Sequence, residues 1–152
     1  MRVALDSGVF IRGILLALAR PENYCSRILA LAAAHDFVVV LCPRVEEEVR
    51  RVLRSKQREG ALDVLLASCT WERTRSATED DLSAHYLPIL ACVTDPPDAR
   101  IGVEVRLADP PVDVFVSDNR ADWKPSARLT VRLGGVVVMR PDTFLSRYDE
   151  GP

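Results

Sequence analysis

The chain opens on a short apolar run, Met1 to Leu5, that stops at Asp6, and it continues in an amphipathic stretch from Val9 to Ala19. After Pro21 a second helical stretch runs to about Ala34, so the opening reads strand, helix, helix. Phe37 to Leu41 is an unbroken, β-branched run, the pattern of a strand buried on both faces. Pro43 then suits the first turn of a helix, and Glu46, Glu47 and Glu48 suit that helix's positive end. From 60 to 94 the pattern predicts a helix, a short extended piece around Trp71, and a second helix from about Asp80 to Cys92. Thr78 and Asp81 stand at capping-box spacing at the start of that second helix, with Asp in place of the usual Glu or Gln. Asp113 to Ser117 and Val136 to Met139 read as two more buried strands, the last followed by a short helix from near Pro141.

Strands alternating with helices predict an α/β fold of three layers, α/β/α, around a central, mostly parallel sheet of four to five strands. No internal repeat, low-complexity tract or linker interrupts the chain, so residues 1–152 are expected to form one domain. One segment resists. Ile101, Val103, Val105 and Leu107 alternate with period two, which argues for a strand, whereas parallel topology needs a crossover of a dozen or more residues where a hairpin would then stand.

Composition narrows the function classes. Hydrophobic residues at 48% and charged residues at 28% lie far from the profile of a disordered chain. No apolar run approaches the ~20 residues that span a bilayer, and Asp6 falls where a signal peptide needs its apolar core. A cytoplasmic protein with no membrane contact is expected. Cys25, Cys42, Cys69 and Cys92 are far apart with no CxxC pair, so reduced, mostly buried thiols are expected and a zinc site is not. The formal net charge of -2 argues against a grip on nucleic acid through the overall field, so any such contact must be local. Of the 20 basic residues only Lys56 and Lys124 are lysines; Arg12, Arg50 and Arg120 are candidates for phosphate contacts, with solvated surface arginine the plainer reading of each.

The chemistry-bearing side chains are carboxylates. In an open α/β sheet the crevice lies beyond the carboxyl ends of the strands, and Asp6 and Asp118 both follow predicted strands; a plain helix cap is the competing role for either. On the helix after Pro43, the apolar face set by Val45, Val49, Val52 and Leu53 leaves Glu47 pointing nearly opposite it, with Glu46 and Glu48 at its borders. Solvated glutamate is the expectation for Glu46 and Glu47. Asp95 and Asp98 lie in TDPPDAR, where two prolines stiffen the entry to the next segment. Carboxylates scattered in sequence but converging at strand ends fit Mg²⁺ or Mn²⁺, hard cations that take oxygen ligands.

The segments VALDSGVFIRGIL, CPRVEEEVRRVL, TDPPDARIGVEV and VFVSDNRADW, in that order and spacing, resemble the motifs of the PIN-domain nucleases, and GGVVVMRPDTFL is similar to that family's last strand and helix. The pattern is similar to the VapC-like ribonuclease toxins of toxin-antitoxin modules. The resemblance implies a PIN-like fold and a metal-dependent endoribonuclease using Mg²⁺ or Mn²⁺. It places the four family acids on Asp6, Glu48, Asp98 and Asp118, with Asp122 and Asp95 as accessory acids and Ser117 as the accessory hydroxyl. It further implies an RNA substrate, a cognate antitoxin partner and a homodimer, and a helix from about Asp98 to Leu107. Where the family often reads DTN after the first strand, this chain has Asp6, Ser7 and Gly8 and lacks an amide that would orient its neighbours. A catalytically weak scaffold that binds RNA or protein is therefore the alternative. A phosphotransfer receiver domain fits less well, because it needs a lysine after a late strand and Val136 to Arg140 offers none. His35 and His85 are expected at a surface or helix end, without a catalytic role.

Overall fold

The computed structural model describes residues 1–20 and 22–149; Pro21, the break expected between the first two helices, lies outside them. Five strands, β1 (Arg2–Leu5), β2 (Val38–Leu41), β3 (Trp71–Arg73), β4 (Val114–Val116) and β5 (Val137–Met139), form one sheet in the order β3-β2-β1-β4-β5. Every pairing is parallel. The helices are α1 (Ser7–Leu16), α2 (Tyr24–Ala33), α3 (Pro43–Ser55), α4 (Ala61–Ala67), α5 (Glu79–Val93), α6 (Pro96–Arg106), α7 (Ala127–Arg132) and α8 (Pro141–Asp149). The architecture is the expected three-layer α/β/α arrangement, with a sheet that is wholly, not mostly, parallel.

Burial explains the strand sequences. In the three inner strands nearly every side chain is lost from solvent, as in Val3, Ala4, Leu5, Val39, Val40, Leu41, Phe115 and Val116, so alternation gives way to continuous apolar runs. β3, on the sheet edge, buries little and carries Trp71, Glu72 and Arg73. The Thr78–Asp81 capping box forms in full, each residue accepting the other's backbone N–H.

The contested segment is helical. α6 buries five consecutive residues, Ile101 to Val105, because it packs against both α5 and α3 and has no solvated stripe over that turn. The two non-apolar residues that mimic a strand's alternation each have a packing role. Gly102 lets α5 approach: a Cβ there would stand 2.8 Å from Ile89 Cγ2. Glu104, only 2% exposed, reaches across and accepts the Arg44 N–H of α3 at 3.0 Å. That carboxylate caps a helix whose own N-cap, Cys42, offers no side-chain bond.

Smaller differences have simple causes. α1 ends at Leu16, short of Ala19, and α7 was not signalled by any clear apolar stripe in its six residues. Cys25 and Cys42 are buried, but Cys69 and Cys92 are half-exposed, so the expectation of mostly buried thiols holds for two of four; all four are free. His35 is exposed just past the end of α2 and His85 is half-buried on α5. Among the described residues no helix is long and apolar enough to cross a membrane.

Candidate active site

The sheet reverses its winding at β1, which pairs with β2 on one side and β4 on the other; this is where an open α/β sheet opens its crevice. Asp6 follows β1, and Ser117 and Asp118 follow β4. Leu5 pairs with Val116, and the Asp6 N–H donates to Val116 O at 2.9 Å, so these residues stand side by side at the sheet's end.

Asp6 is the N-cap of α1. One carboxylate oxygen accepts the Ser7 N–H at 2.8 Å, and the other accepts the Ser117 hydroxyl. Ser117 Oγ in turn accepts the Asn119 N–H at 3.1 Å, which fixes the direction in which the hydroxyl donates. Burial is the largest influence on the Asp6 carboxyl and disfavours its charge. The Ser117 and Ser7 donors work the other way, the charges of Asp118 and Glu48 add repulsion, and the carboxyl is pushed up to about 6.

Asp98 enters from the first turn of α6, where Pro96 and Pro97 supply ready-made helical backbone. Burial first, then the charges of Asp6, Asp95, Asp122 and Glu48, push its carboxyl up to about 7. Asn119, which the sequence reading passed over, ties this side together. Its amide donates to Asp98 Oδ2 at 3.1 Å and to Asp122 Oδ2 at 3.0 Å, while its own oxygen accepts the Ala121 and Asp122 N–H groups at 3.1 and 3.3 Å. Thr94 donates to Asp122 Oδ1 at 3.2 Å from a left-handed backbone, φ 69°, a strained setting for a β-branched residue. The SDN triplet directly after a buried strand was the available sequence signal for Asn119.

On α3, Val45, Val49 and Leu53 are buried, Glu47 is exposed and Glu48 is half-buried, as the helical spacing predicts. Glu48 faces the crevice closely enough for both Asp6 and Asp98 to feel its charge. Glu46 corrects the expectation of a solvated residue. It is only 9% exposed, because Arg73 on β3 closes over it at 2.6 Å and Arg50 bonds it at 2.9 Å. Arg50 also holds Asp63 at 2.8 Å, so it is committed to structure and not turned to a ligand.

Asp118, whose charge reaches Asp6, is paired with a cationic side chain. Arg12 Nε lies 2.9 Å from its Oδ2, yet that buried oxygen receives no aligned hydrogen bond. The carboxylate leans over Gly8, where a Cβ would stand 2.1 Å from Asp118 Oδ1. Among the described residues, no group of three or more His, Cys, Asp or Glu side chains is already arranged to hold a metal ion. Both Asp6 oxygens, one Asp98 oxygen and Asp118 are engaged instead by Ser7, Ser117, Asn119 and Arg12. The donor set nonetheless fits a hard divalent cation. It is all carboxylate, two members are held above their normal range by burial and mutual repulsion, and Asp118 Oδ2 lacks a donor. A cation here would add positive charge beside Asp6 and Asp98, whose hydrogen-bond partners are neutral serine and asparagine groups, and would compete with Arg12 for Asp118.

No family model matches the chain, and no curated protein matches its sequence. Among solved structures, the crystal structure of VapBC2 from Rickettsia felis bound to a DNA fragment from their promoter contains a chain of similar fold. The TM-score is 0.57 at 13% sequence identity, over 92% of this chain and 98% of that one. At that identity the likeness is one of fold.

Proposed function

We propose that this chain is a divalent-metal-dependent endoribonuclease of the PIN-domain type, acting as the toxin of a toxin-antitoxin module. The observation that carries the reading is the gathering of acids from four separate segments at the switch point of a parallel sheet, where burial first, and then repulsion among them, pushes Asp98 up to about 7 and Asp6 up to about 6. Likeness of fold to a chain of a VapBC2 complex supports the same reading and motivates an antitoxin protein as partner; a homodimer is proposed on the sequence resemblance alone.

In this reading Asp6, Asp98 and Asp118, with Glu48 completing the set, hold Mg²⁺ or Mn²⁺. When bound, the cation lowers the pKa of water to give a nucleophile and offsets charge on the scissile phosphate. Ser117 keeps Asp6 oriented by donating to it, and Asn119 does the same for Asp98 and Asp122. Asp95 adds negative potential beside Asp98. No histidine base is needed, in keeping with His35 and His85 lying outside this network. The test is cleavage of a mixed RNA pool by wild type, Asp6→Asn and Asp98→Asn, with Mn²⁺ or with EDTA. Only the wild type with Mn²⁺ should cut; cleavage that survives both substitutions or chelation would refute the assignment.

The pairing of Asp118 with Arg12 over Gly8 favours a second reading, a catalytically weak scaffold that binds RNA or protein. Calorimetric titration of Mn²⁺ separates the two, since a scaffold of this kind shows no saturable heat.

A further inference from the structure

Beside the acids, a cleft of about 120 Å³ opens where β4 and β5 end and α2 and α8 begin. Arg12, Arg120 and Arg140 line it together with Tyr24, Asp118 and Asp142. The charges there are not equally free. Arg12 pairs with Asp118, and Asp142, in the first turn of α8, accepts the Thr143 N–H at 2.8 Å. Arg120 and Arg140 form no ion pair or side-chain hydrogen bond among the described residues, unlike Arg50, Arg73 and Arg75, each of which is closed onto a carboxylate. Two arginines with no ionic partner among the described residues thus line one cleft in a chain of net charge -2. Tyr24, the first residue of α2, adds an aromatic ring 52% exposed on the same wall.

We infer that this cleft is a nucleotide subsite for single-stranded RNA, in which Arg120 and Arg140 hold the backbone phosphate next to the scissile one and Tyr24 stacks the adjoining base. The inference rests on the nuclease reading and deepens it by naming the form of the substrate. Guanidinium groups match phosphate oxygens with a planar fork of donors. An exposed ring stacks on any unpaired base but cannot reach one inside an A-form duplex, which selects the single strand. Asp118 lines the cleft and its charge reaches Asp6, so a strand bound here lies beside the carboxylates.

The test measures anisotropy of a labelled, unstructured oligoribonucleotide in EDTA, where binding is read apart from cleavage, over a salt series. Arg120→Ala and Arg140→Ala should each weaken binding by about tenfold at low salt and reduce the slope of log K against log salt by roughly 0.7. Tyr24→Ala should weaken binding by about tenfold with the slope unchanged. Arg128→Ala, on the exposed side of α7, serves as a control at the wild-type value, and melting curves check that every variant folds. Wild-type affinity and slope in the three cleft variants would overturn the inference while leaving the nuclease reading standing. Equal affinity for duplex RNA would overturn it as well, as would displacement of the RNA by polyglutamate at equal charge, which would make the cleft a site for an acidic protein segment. Absence of any RNA binding by the wild type would overturn the inference together with the RNA reading.

Discussion

Gly8 shows how one missing side chain reshapes a site. Its lack of an amide reads as a defect in orienting the acids, but Asn119 supplies an amide from the end of the neighbouring strand β4, bonding both Asp98 and Asp122. What Gly8 does provide is space, filled by the Asp118 carboxylate on its way to Arg12. A Cβ at this position would collide with Asp118 Oδ1, the end of a side chain that can turn. Gly8 also lies inside α1 at a backbone angle an L-residue accepts. Gly8→Ala should therefore leave stability unchanged or raise it by up to about 1 kcal/mol through helix propensity. Thermal denaturation in EDTA reads this directly, and a loss above about 2 kcal/mol would mean that Asp118 is fixed in place. Arg12→Ala provides the complementary measurement. With the competing guanidinium gone, Mn²⁺ should bind several-fold more tightly in calorimetry; unchanged affinity would show that Arg12 exerts no hold on the acid.

At the scale of elements, the relation of α3 to α6 sets the distance between Glu48 and Asp98, and Glu104 is the bond between them. Its carboxylate is buried, and desolvation raises its pKa above the usual range, yet it accepts an N–H from the first turn of α3. Glu104→Ala removes the acceptor and leaves a buried N–H unpaired, for an expected loss of about 1–3 kcal/mol, with the first turn of α3 exchanging its amide hydrogens faster. Glu104→Gln keeps an acceptor and should lose less; equal losses in the two variants would assign the effect to packing alone. This residue also shows the limit of what the chain's pattern reveals. Four strands and most helices are legible because their apolar runs match their burial, while β3, at the sheet edge, shows only as a short extended piece around Trp71. Strand-end geometry singles out Asp6 and Asp118, whereas helix-face geometry only sets Glu47 aside and the family resemblance chooses Glu48. The helical state of α6 was not legible from periodicity, because Gly102 and Glu104 are polar-looking positions that are nonetheless buried. Glu46 was misread for a related reason: its burial comes from Arg73, on a strand remote in sequence. Trp123, packed edge-on against Phe115 with ring centroids 4.6 Å apart, holds the loop that carries Asn119 and Asp122, a long-range contact that no local spacing announces.

For the whole molecule, the consequence of burying acids together at one end of the sheet is a fold that disfavours their charge, through desolvation first and repulsion second. Asp6 and Asp98 have folded pKa values of about 6 and about 7 against 3.8 for the ordinary group, so both bind protons more readily folded than unfolded. Their contribution to stability is complete below about pH 4 and is lost as pH rises through 6 and 7. Roughly 3 kcal/mol is the scale for the buried Asp6 at 1.36 kcal/mol per pKa unit, and Asp98, half open to water, adds less per unit. In EDTA the protein should therefore be less stable at pH 8 than at pH 5. Asp98→Asn, which deletes one of the repelling charges, should flatten that profile and be the more stable protein at pH 8. Mn²⁺ should restore stability to the wild type through preferential binding to the folded state, by about 2.7 kcal/mol when its concentration is a hundred times Kd, and most strongly above pH 7 where the acids are ionised. Asp98→Asn should gain little from the same addition. Melting temperatures of the two proteins at pH 5 and pH 8, with EDTA and with Mn²⁺, contain the whole argument. If the wild type is the more stable protein at pH 8 without metal, the acids do not repel as their placement demands; if both gain equally from Mn²⁺, the ion binds somewhere other than this crevice.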